Sequence, residues 1–429
     1  MLVRAHEKIR YSAAASIGAA KASHVIRRAN IAGAGIGGLT AALALARQGV
    51  EVCVFEQAPA LGEVGAGLQL SPNAMKVLTN LGLQEAVNEV AFAPHYARIR
   101  DGKSGRDLVV LPLKDQCEQV YGAPYLHVHR ADLHTILAEA SRRVGVRIAT
   151  AATVSGYADA GLLVNGTVQP ADLNIGADGI RSAVTAQMHP HYGPRFTGQL
   201  AWRGTVPAAD LPEGLIPPDA TVWVGRGGHV VTYYLRGGHL VNFVAVEEQS
   251  DWQNPSWREQ GDPARLMSRF SGWHDDLKTL YAAVEKTYLW ALFDRPELPD
   301  WSDGNTGLLG DACHPTLPFM AQGAAMAIED ACILTRCLTR GSSNAAAALR
   351  HYTHLRKPRT AMLQGRARRN AALFHLGGPL HGAVARAKLA IAGSLPDRLG
   401  LRPFDSIYGY DATSVALGAS APVGPAKGR

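Results

Sequence analysis

The sequence predicts an α/β chain: a parallel sheet flanked by helices, interrupted by an inserted antiparallel sheet and followed by a C-terminal helical segment. Three observations carry that expectation. A glycine-rich turn separates an apolar run from a helical pattern near the start, two glycine-acid turns follow apolar runs far downstream, and alternating valines and aromatics fill the stretch between these two turns.

The first turn is Gly33-Ala34-Gly35-Ile36-Gly37-Gly38, and the next apolar run, Val50 to Phe55, ends at Glu56 and Gln57. This is the strand, turn, helix and strand of a Rossmann-type unit for an ADP-containing dinucleotide. Gly33 permits the tight turn, Gly35 admits a pyrophosphate to the backbone, and Gly38 lets the helix pack closely. Glu56 would hold ribose hydroxyls. Leu39, Leu43 and Ala46 share a helical face, and Gly49 sits where a C-cap belongs.

Further on, Pro72 to Leu83 reads as a helix and Tyr96 to Leu113 as a hairpin broken at Gly102 to Gly105. Arg130 opens a helix through Arg143, because Leu133, Ile136, Leu137 and Ala140 fall on one face. Val164-Asn165-Gly166-Thr167 is a two-residue hairpin turn. The second glycine-acid turn, Gly176-Ala177-Asp178-Gly179, follows the run Ala171 to Ile175; the third, Gly310-Asp311, follows Gly307 to Leu309. Both suit loops at the carboxyl ends of parallel strands.

Between them, Trp202, Trp223, Tyr233, Tyr234 and Phe243 sit among alternating valines, and Gly237-Gly238 marks another hairpin. The expected organisation is a disordered extension (1–28), a first cofactor-domain part (29–195, with 95–125 joining the substrate domain), a substrate domain (196–285), a second cofactor-domain part (286–345) resuming around Thr287, a helical segment (346–411) and a disordered tail (412–429).

Composition narrows the function classes. No run approaches the roughly 18 to 20 apolar residues of a spanning helix, so no membrane role is expected. Five cysteines without CxxC spacing read as reduced thiols of a cytoplasmic enzyme. The net charge of +7 is concentrated in residues 1–28 and 350–402, leaving the body acidic, and the basic segment lacks the interleaved aromatics of a nucleic-acid surface. His127, His129 and His134 lack a carboxylate or cysteine set, so no metal is expected.

The three turns occur in fixed order with three long phrases: Gly62 to Asn73, Val128 to His134, and Pro318 to Ala331. In these the chain resembles, from about Asn30 to Asp411, the single-component flavoprotein aromatic hydroxylases, and most of all their salicylate and 3-hydroxybenzoate branch. The resemblance implies an FAD-binding domain with an inserted antiparallel substrate domain. It implies that Asp311 holds the ribityl chain, that Arg130 lies along the flavin, and that the Asp178 and Gly179 loop serves both FAD and NAD(P)H. Gly323 and Ala324, opening a helix over Ala325 to Leu338, would face the reduced flavin with backbone N–H groups. Where the family's second motif usually ends in arginine, Val184 is followed here by Thr185.

The implied reaction is NADH- or NADPH-driven reduction of FAD, addition of oxygen at flavin C4a, and transfer of OH from that hydroperoxide to an electron-rich ring. A phenol near 10 and a histidine near 6.5 differ by about 3.5 units, so the base needs help from groups that stabilise the phenolate. Strand alternation puts His229, Val231 and Tyr233 on one face, with His229 and Tyr233 roughly 13 Å apart, able to bracket a ring. By the resemblance His229 is the catalytic histidine and Tyr233 a pocket tyrosine. Leu68, Gln69, Val231, Pro318, Phe319 and Met320 are the expected pocket. Gln69 replaces a histidine of 6-hydroxynicotinate hydroxylases and Pro318 a catalytic glutamine of 3-hydroxybenzoate hydroxylase, which argues against copying either substrate.

The expected substrate is a small aromatic acid or phenol, salicylate-like first and 3-hydroxybenzoate-like second, on a monomer or homodimer. The alternatives are a hydroxylase of a larger secondary metabolite, an NAD-linked dehydrogenase without flavin, and a flavin-binding protein without turnover.

Overall fold

Apolar runs that stay buried from the second residue onward, as in Arg28–Ala32 and Glu51–Phe55, can only be central strands covered on both faces. In the computed structural model they lie in a six-stranded sheet ordered Ser302–Asp303, Thr306–Leu308, Leu173–Gly176, Arg28–Ala32, Glu51–Phe55, Arg147–Ala149. Every pairing is parallel except that of the first two strands. The structure describes residues 26–62, 67–249, 259–340, 344–376, 379–393 and 397–418. The expected N-terminal extension up to residue 25, residues 63–66 of the first long phrase, and the tail from residue 419 lie outside the described residues.

Helices Ile36–Ala46, Arg130–Arg143 and Gly323–Arg340 pack together around this sheet, and their apolar faces share one core with the strands. Register sets the three loops side by side. Because Ala32 pairs with Gly176 and Gly176 with Leu308, the turns after Ala32, Gly176 and Leu308 leave the same sheet end. That is where ligands bind in open α/β sheets.

The inserted sheet has eight strands, ordered Glu259–Gly261, Thr287–Asp294, Arg195–Pro207, Leu240–Glu248, Gly228–Leu235, Ala220–Gly225, Tyr96–Asp101, Asp107–Pro112. All pairs are antiparallel except Ala220–Gly225 with Tyr96–Asp101. Thr287 was expected to re-enter the cofactor domain; instead Thr287–Asp294 pairs with Arg195–Pro207 in this sheet. Its run TYLWALFD is a strand pattern in either location, and pairing between segments 85 to 99 residues apart decided the outcome. The first sheet is regained at Ser302–Asp303, and its parallel pairing at Thr306.

The C-terminal segment is helical, with Ala345–Phe374, Pro379–Gly393, Asp397–Leu401 and Asp405–Tyr408. Residues 412–418, expected as part of a disordered tail, pack back on this body. The carbonyl of Ala412 accepts from Arg336 Nη1 at 2.6 Å, that of Val415 from Arg336 Nη2 at 2.8 Å, and that of Leu417 lies 2.7 Å from His351 Nε2.

Buried charges tie the long helix to the cofactor domain. Arg356 is fully buried and pairs with Asp330 Oδ1 at 2.6 Å and Glu329 Oε2 at 2.8 Å, while Arg359 holds Glu329 Oε1 at 2.7 Å. Asn73 donates to the same Glu329 at 2.6 Å.

Candidate active site

The three turns open into one cavity of about 760 Å³ between the two sheets. Its walls include Gly33, Gly35, Glu56, Gln57, Arg130, Asp178, Gly179, Gly310, Asp311, Gly323 and Ala324 from the cofactor side. Leu68, Gln69, His229, Val231, Tyr233, Pro318 and Phe319 line the other side.

Two expected residues lie elsewhere. Gly38 does not line the cavity: a Cβ there would stand 2.1 Å from Gly33 O, so its hydrogen lets the helix seat against the turn, which is the packing reason given for it. Met320 also points away, its Sδ 2.7 Å from Asn370 Nδ2 of the long helix. Pro318–Met320 is a 3₁₀ turn, in which successive side chains project about 120° apart, so three neighbours cannot share one wall.

The first turn is shaped for a pyrophosphate. Gly33 has φ of +95°, and a Cβ on Gly35 would meet nothing within 4 Å, so that backbone is open to the cavity. No side chain caps the helix that starts at Ile36 and no acid stands in its first turn, leaving its N–H groups for an anion. Glu56 accepts from Ala34 N and Ala58 N, both at 2.9 Å, which holds its carboxylate at the strand end where a ribose would lie.

The other two loops are held as firmly. Asp178 Oδ2 accepts from Ala183 N at 2.8 Å, and its Oδ1 is buried without a protein partner. Burial raises its pKa against the hydrogen bonds it accepts. Asp311 stands open to the cavity, yet the surrounding protein withdraws bulk water from its carboxyl and raises its pKa. A carboxylate presented this way suits the hydroxyls of a ribityl chain. These features fit FAD: Glu56 would hold the ribose, Gly35 would admit the pyrophosphate, Asp311 would take the ribityl chain and the Gly323 helix N-terminus would face the flavin ring.

Two arginines were missed. Arg295, almost fully buried, bridges the second and third loops by donating to the carbonyls of Ile180 and Ala312. Thr185, which stands where the family usually has arginine, donates to the same Ala312 carbonyl at 2.8 Å. Arg203 lines the cavity and stacks on Trp290 with Cζ 4.3 Å from the ring centroid. Its Nε is buried without a hydrogen-bond partner, and burial lowers its pKa to about 10, with Tyr233 close enough to raise it and Arg130 to lower it. The only signal for Arg203 in the sequence was its place beside Trp202 in a strand.

On the substrate side, His229 and Tyr233 face the cavity two and four residues along one strand from Val231 and His229 respectively, as alternation requires. Burial drives the His229 imidazole well below its ordinary value and the Tyr233 phenol up. Gln69 is engaged by Tyr125, whose hydroxyl donates at 2.6 Å. Cys313, His314 and Asp330 come within metal-ligating distance of one another, but Asp330 already pairs with both His314 Nε2 at 2.5 Å and Arg356. No helix among the described residues is long and apolar enough to cross a membrane.

Residues 28–367 match the FAD binding domain family. The chain is 40% identical over 353 residues to the 3-amino-4-hydroxybenzoate 2-monooxygenase of Streptomyces cremeus, covering 81% of this chain and 88% of that one. It is 37% identical over 376 residues to the 3-hydroxybenzoate 6-hydroxylase 1 of Aquipseudomonas alcaligenes, covering 85% and 93%. A salicylate hydroxylase solved with its substrate superposes with a TM-score of 0.75 at 26% identity, covering 91% of this chain and 97% of that one. With three loops shaped for FAD beside a walled cavity, the chain belongs to the FAD binding domain family and is an FAD-dependent aromatic-ring monooxygenase.

Proposed function

We propose that this monooxygenase hydroxylates a small benzoic acid that already carries a ring hydroxyl, of the salicylate or 3-hydroxybenzoate type, using O₂ and NADH or NADPH. The observation that carries the reading is Arg203, a guanidinium in the cavity wall with no carboxylate partner among the described residues. A substrate carboxylate would complete it, since a buried charge is tolerated when paired. The relatives named above act, by their names, on hydroxylated benzoates.

His229 serves the hydroxyl end. Deprotonating the phenol makes the ring nucleophilic, and a positioned base contributes about 10² to 10⁴ in rate. Tyr233, kept protonated by burial and close to Arg203, stands at the other end of the ring, where its hydroxyl donates to the carboxylate that Arg203 holds. Bound FAD supplies the redox chemistry that activates oxygen. Overall, the aromatic C–H, O₂, NAD(P)H and a proton become C–OH, water and NAD(P)⁺. The same cavity of about 760 Å³ must take the flavin and the substrate, which favours a single ring over a larger metabolite. Five buried, unpaired cysteines suit a reducing, cytoplasmic setting.

The test is turnover with a matched set: hydroxybenzoates, benzoate without the hydroxyl, and phenol without the carboxylate. Coupled hydroxylation is expected only where both groups are present. Phenol turning over as well as the acids would sink the assignment of Arg203.

A further inference from the structure

Two histidines and a carboxylate stand in line from the cavity wall to the protein surface. His229 is 1% exposed, and its Nδ1 lies 3.0 Å from His375 Nε2. His375 Nδ1 in turn lies 2.7 Å from Glu248 Oε1, and the Glu248 side chain is 57% exposed. His375 is delivered from outside the inserted sheet: it caps the Ala345–Phe374 helix, and its carbonyl accepts from Gly227 N at 3.0 Å beside the His229 strand.

We propose that His229, His375 and Glu248 form a proton path that carries the phenolic proton of the substrate out of the cavity to solvent. It rests on the reading of His229 as the group that meets the substrate hydroxyl.

The hydrogen-bond inventory orders the path. An ionised carboxylate only accepts, so the hydrogen between Glu248 and His375 sits on His375 Nδ1. His375 Nε2 then carries a lone pair, and the hydrogen in the 3.0 Å contact belongs to His229 Nδ1. Neutral His229 is left with its lone pair on Nε2, the nitrogen available to the cavity. Glu248 thereby sets the tautomer of a ring two members away, as an orienting acid does for a catalytic histidine.

The surroundings suit transfer without storage. Phe319 and Phe374 pack on the His229 ring with centroids at 4.8 and 5.3 Å, closing its flanks to water. The charges near His375 are Glu248, which raises its pKa, and Arg269, which lowers it; burial is the larger effect and also lowers it. Arg269 is itself occupied, with Nε 2.8 Å from Glu247 Oε2 and Nη2 3.0 Å from Gly227 O. A ring that resists positive charge, as buried His229 does, is a poor final holder of a proton. It serves well if a second proton leaves as the first arrives.

The step balances. The phenol O–H breaks as Nε2–H forms on His229, Nδ1–H of His229 breaks as Nε2–H forms on His375, and Nδ1–H of His375 breaks as O–H forms on Glu248, which passes it to water. Both rings stay neutral and exchange tautomers, and the line resets when the product regains a proton by the reverse route.

The test uses flavin-loaded protein and 3-hydroxybenzoate, reading ionisation of the bound ring by ultraviolet difference spectra from about pH 6 to about pH 9, together with kcat and KM. His375→Phe is expected to abolish phenolate binding at neutral pH and lower kcat about 10²-fold with KM changed less than about twofold. Glu248→Gln, on the surface, still accepts from His375 through its amide oxygen but cannot take the proton, and should show the same loss. Normal ionisation in either variant, with ionisation lost in His229→Gln, overturns the path and leaves His229 in its role. Normal ionisation in all three overturns His229 as well.

Discussion

Tyr233 lies so close to Gly67 that a Cβ at position 67 would stand 2.4 Å from its Cε2 and 2.6 Å from its hydroxyl. Gly67 is itself held by Asn242, whose Oδ1 accepts from its backbone N–H at 2.9 Å. The strand under the tyrosine therefore cannot retreat, and the ring must move if a methyl group appears. Gly67→Ala is expected to raise KM for the aromatic acid about tenfold while FAD stays bound, because overpacking displaces a pocket wall rather than a cofactor contact. Steady-state kinetics beside the visible flavin spectrum would check both halves.

Arg203→Met keeps much of the apolar stem and removes the guanidinium, whose Cζ lies 4.3 Å from the Trp290 ring centroid. A hydrogen bond to a charged group contributes about 1.5–3 kcal/mol, so affinity for a hydroxybenzoate should fall roughly ten- to a hundredfold. Phenol, with no carboxylate, should bind as weakly as before. Equilibrium titration with the two ligands separates a lost anchor from a general loss of the pocket.

Gly323 opens the helix whose N-terminus lines the cavity where the flavin ring would lie, and a Cβ there would find Thr316 Cγ2 at 3.5 Å, an ordinary contact. Size is thus tolerated and charge can be tested alone. Gly323→Ala should reduce its flavin at nearly the parental rate, whereas Gly323→Asp, opposing the negative charge of reduced flavin, should slow reduction by NAD(P)H by about tenfold or more. Rapid-mixing absorbance would show it.

Arg356 is fully buried between Glu329 and Asp330. Removing one partner of such a cluster leaves charges uncompensated, so Arg356→Met should destabilise the protein by about 3–5 kcal/mol. Urea unfolding of the flavin-loaded protein measures this.

The same cluster gives stability an acid limb. Burial opposes ionisation of Asp330, but His314 and Arg356 outweigh it and hold its pKa at about 2, against about 3.9 in an unfolded chain. An acid depressed on folding contributes stability that is complete above the unfolded value and lost as pH falls through the folded one. Unfolding midpoints should therefore drop from about pH 4 toward about pH 2, with a shallower drop in Arg356→Met.

Local requirements made much of the site legible in the sequence. Gly33, Gly179 and Gly310 all take positive φ, and Glu56 and Asp311 sit where strand ends put them, so short motifs located one whole side of the cavity. Strand alternation likewise set His229, Val231 and Tyr233 on one wall. What escaped depends on contacts between distant segments. Arg295 joins loops 115 and 17 residues away, and His375 reaches His229 across 146 residues from the end of a helix. Neither has a local pattern, because each is defined by what the fold brings to it. Met320 failed for a different reason: the apolar pattern of Pro318–Met320 does not reveal a 3₁₀ turn, whose geometry sends the third side chain outward.

The most direct measurement is isotopic. Purified protein loaded with FAD, given NADH or NADPH, a hydroxybenzoate and ¹⁸O₂, should return a product ring carrying one ¹⁸O atom, with the cofactor oxidised in step with product. Oxidation of the nicotinamide with no ¹⁸O in any ring, across the salicylate and 3-hydroxybenzoate types alike, would contradict the placement of a hydroxylated aromatic acid between His229 and Arg203.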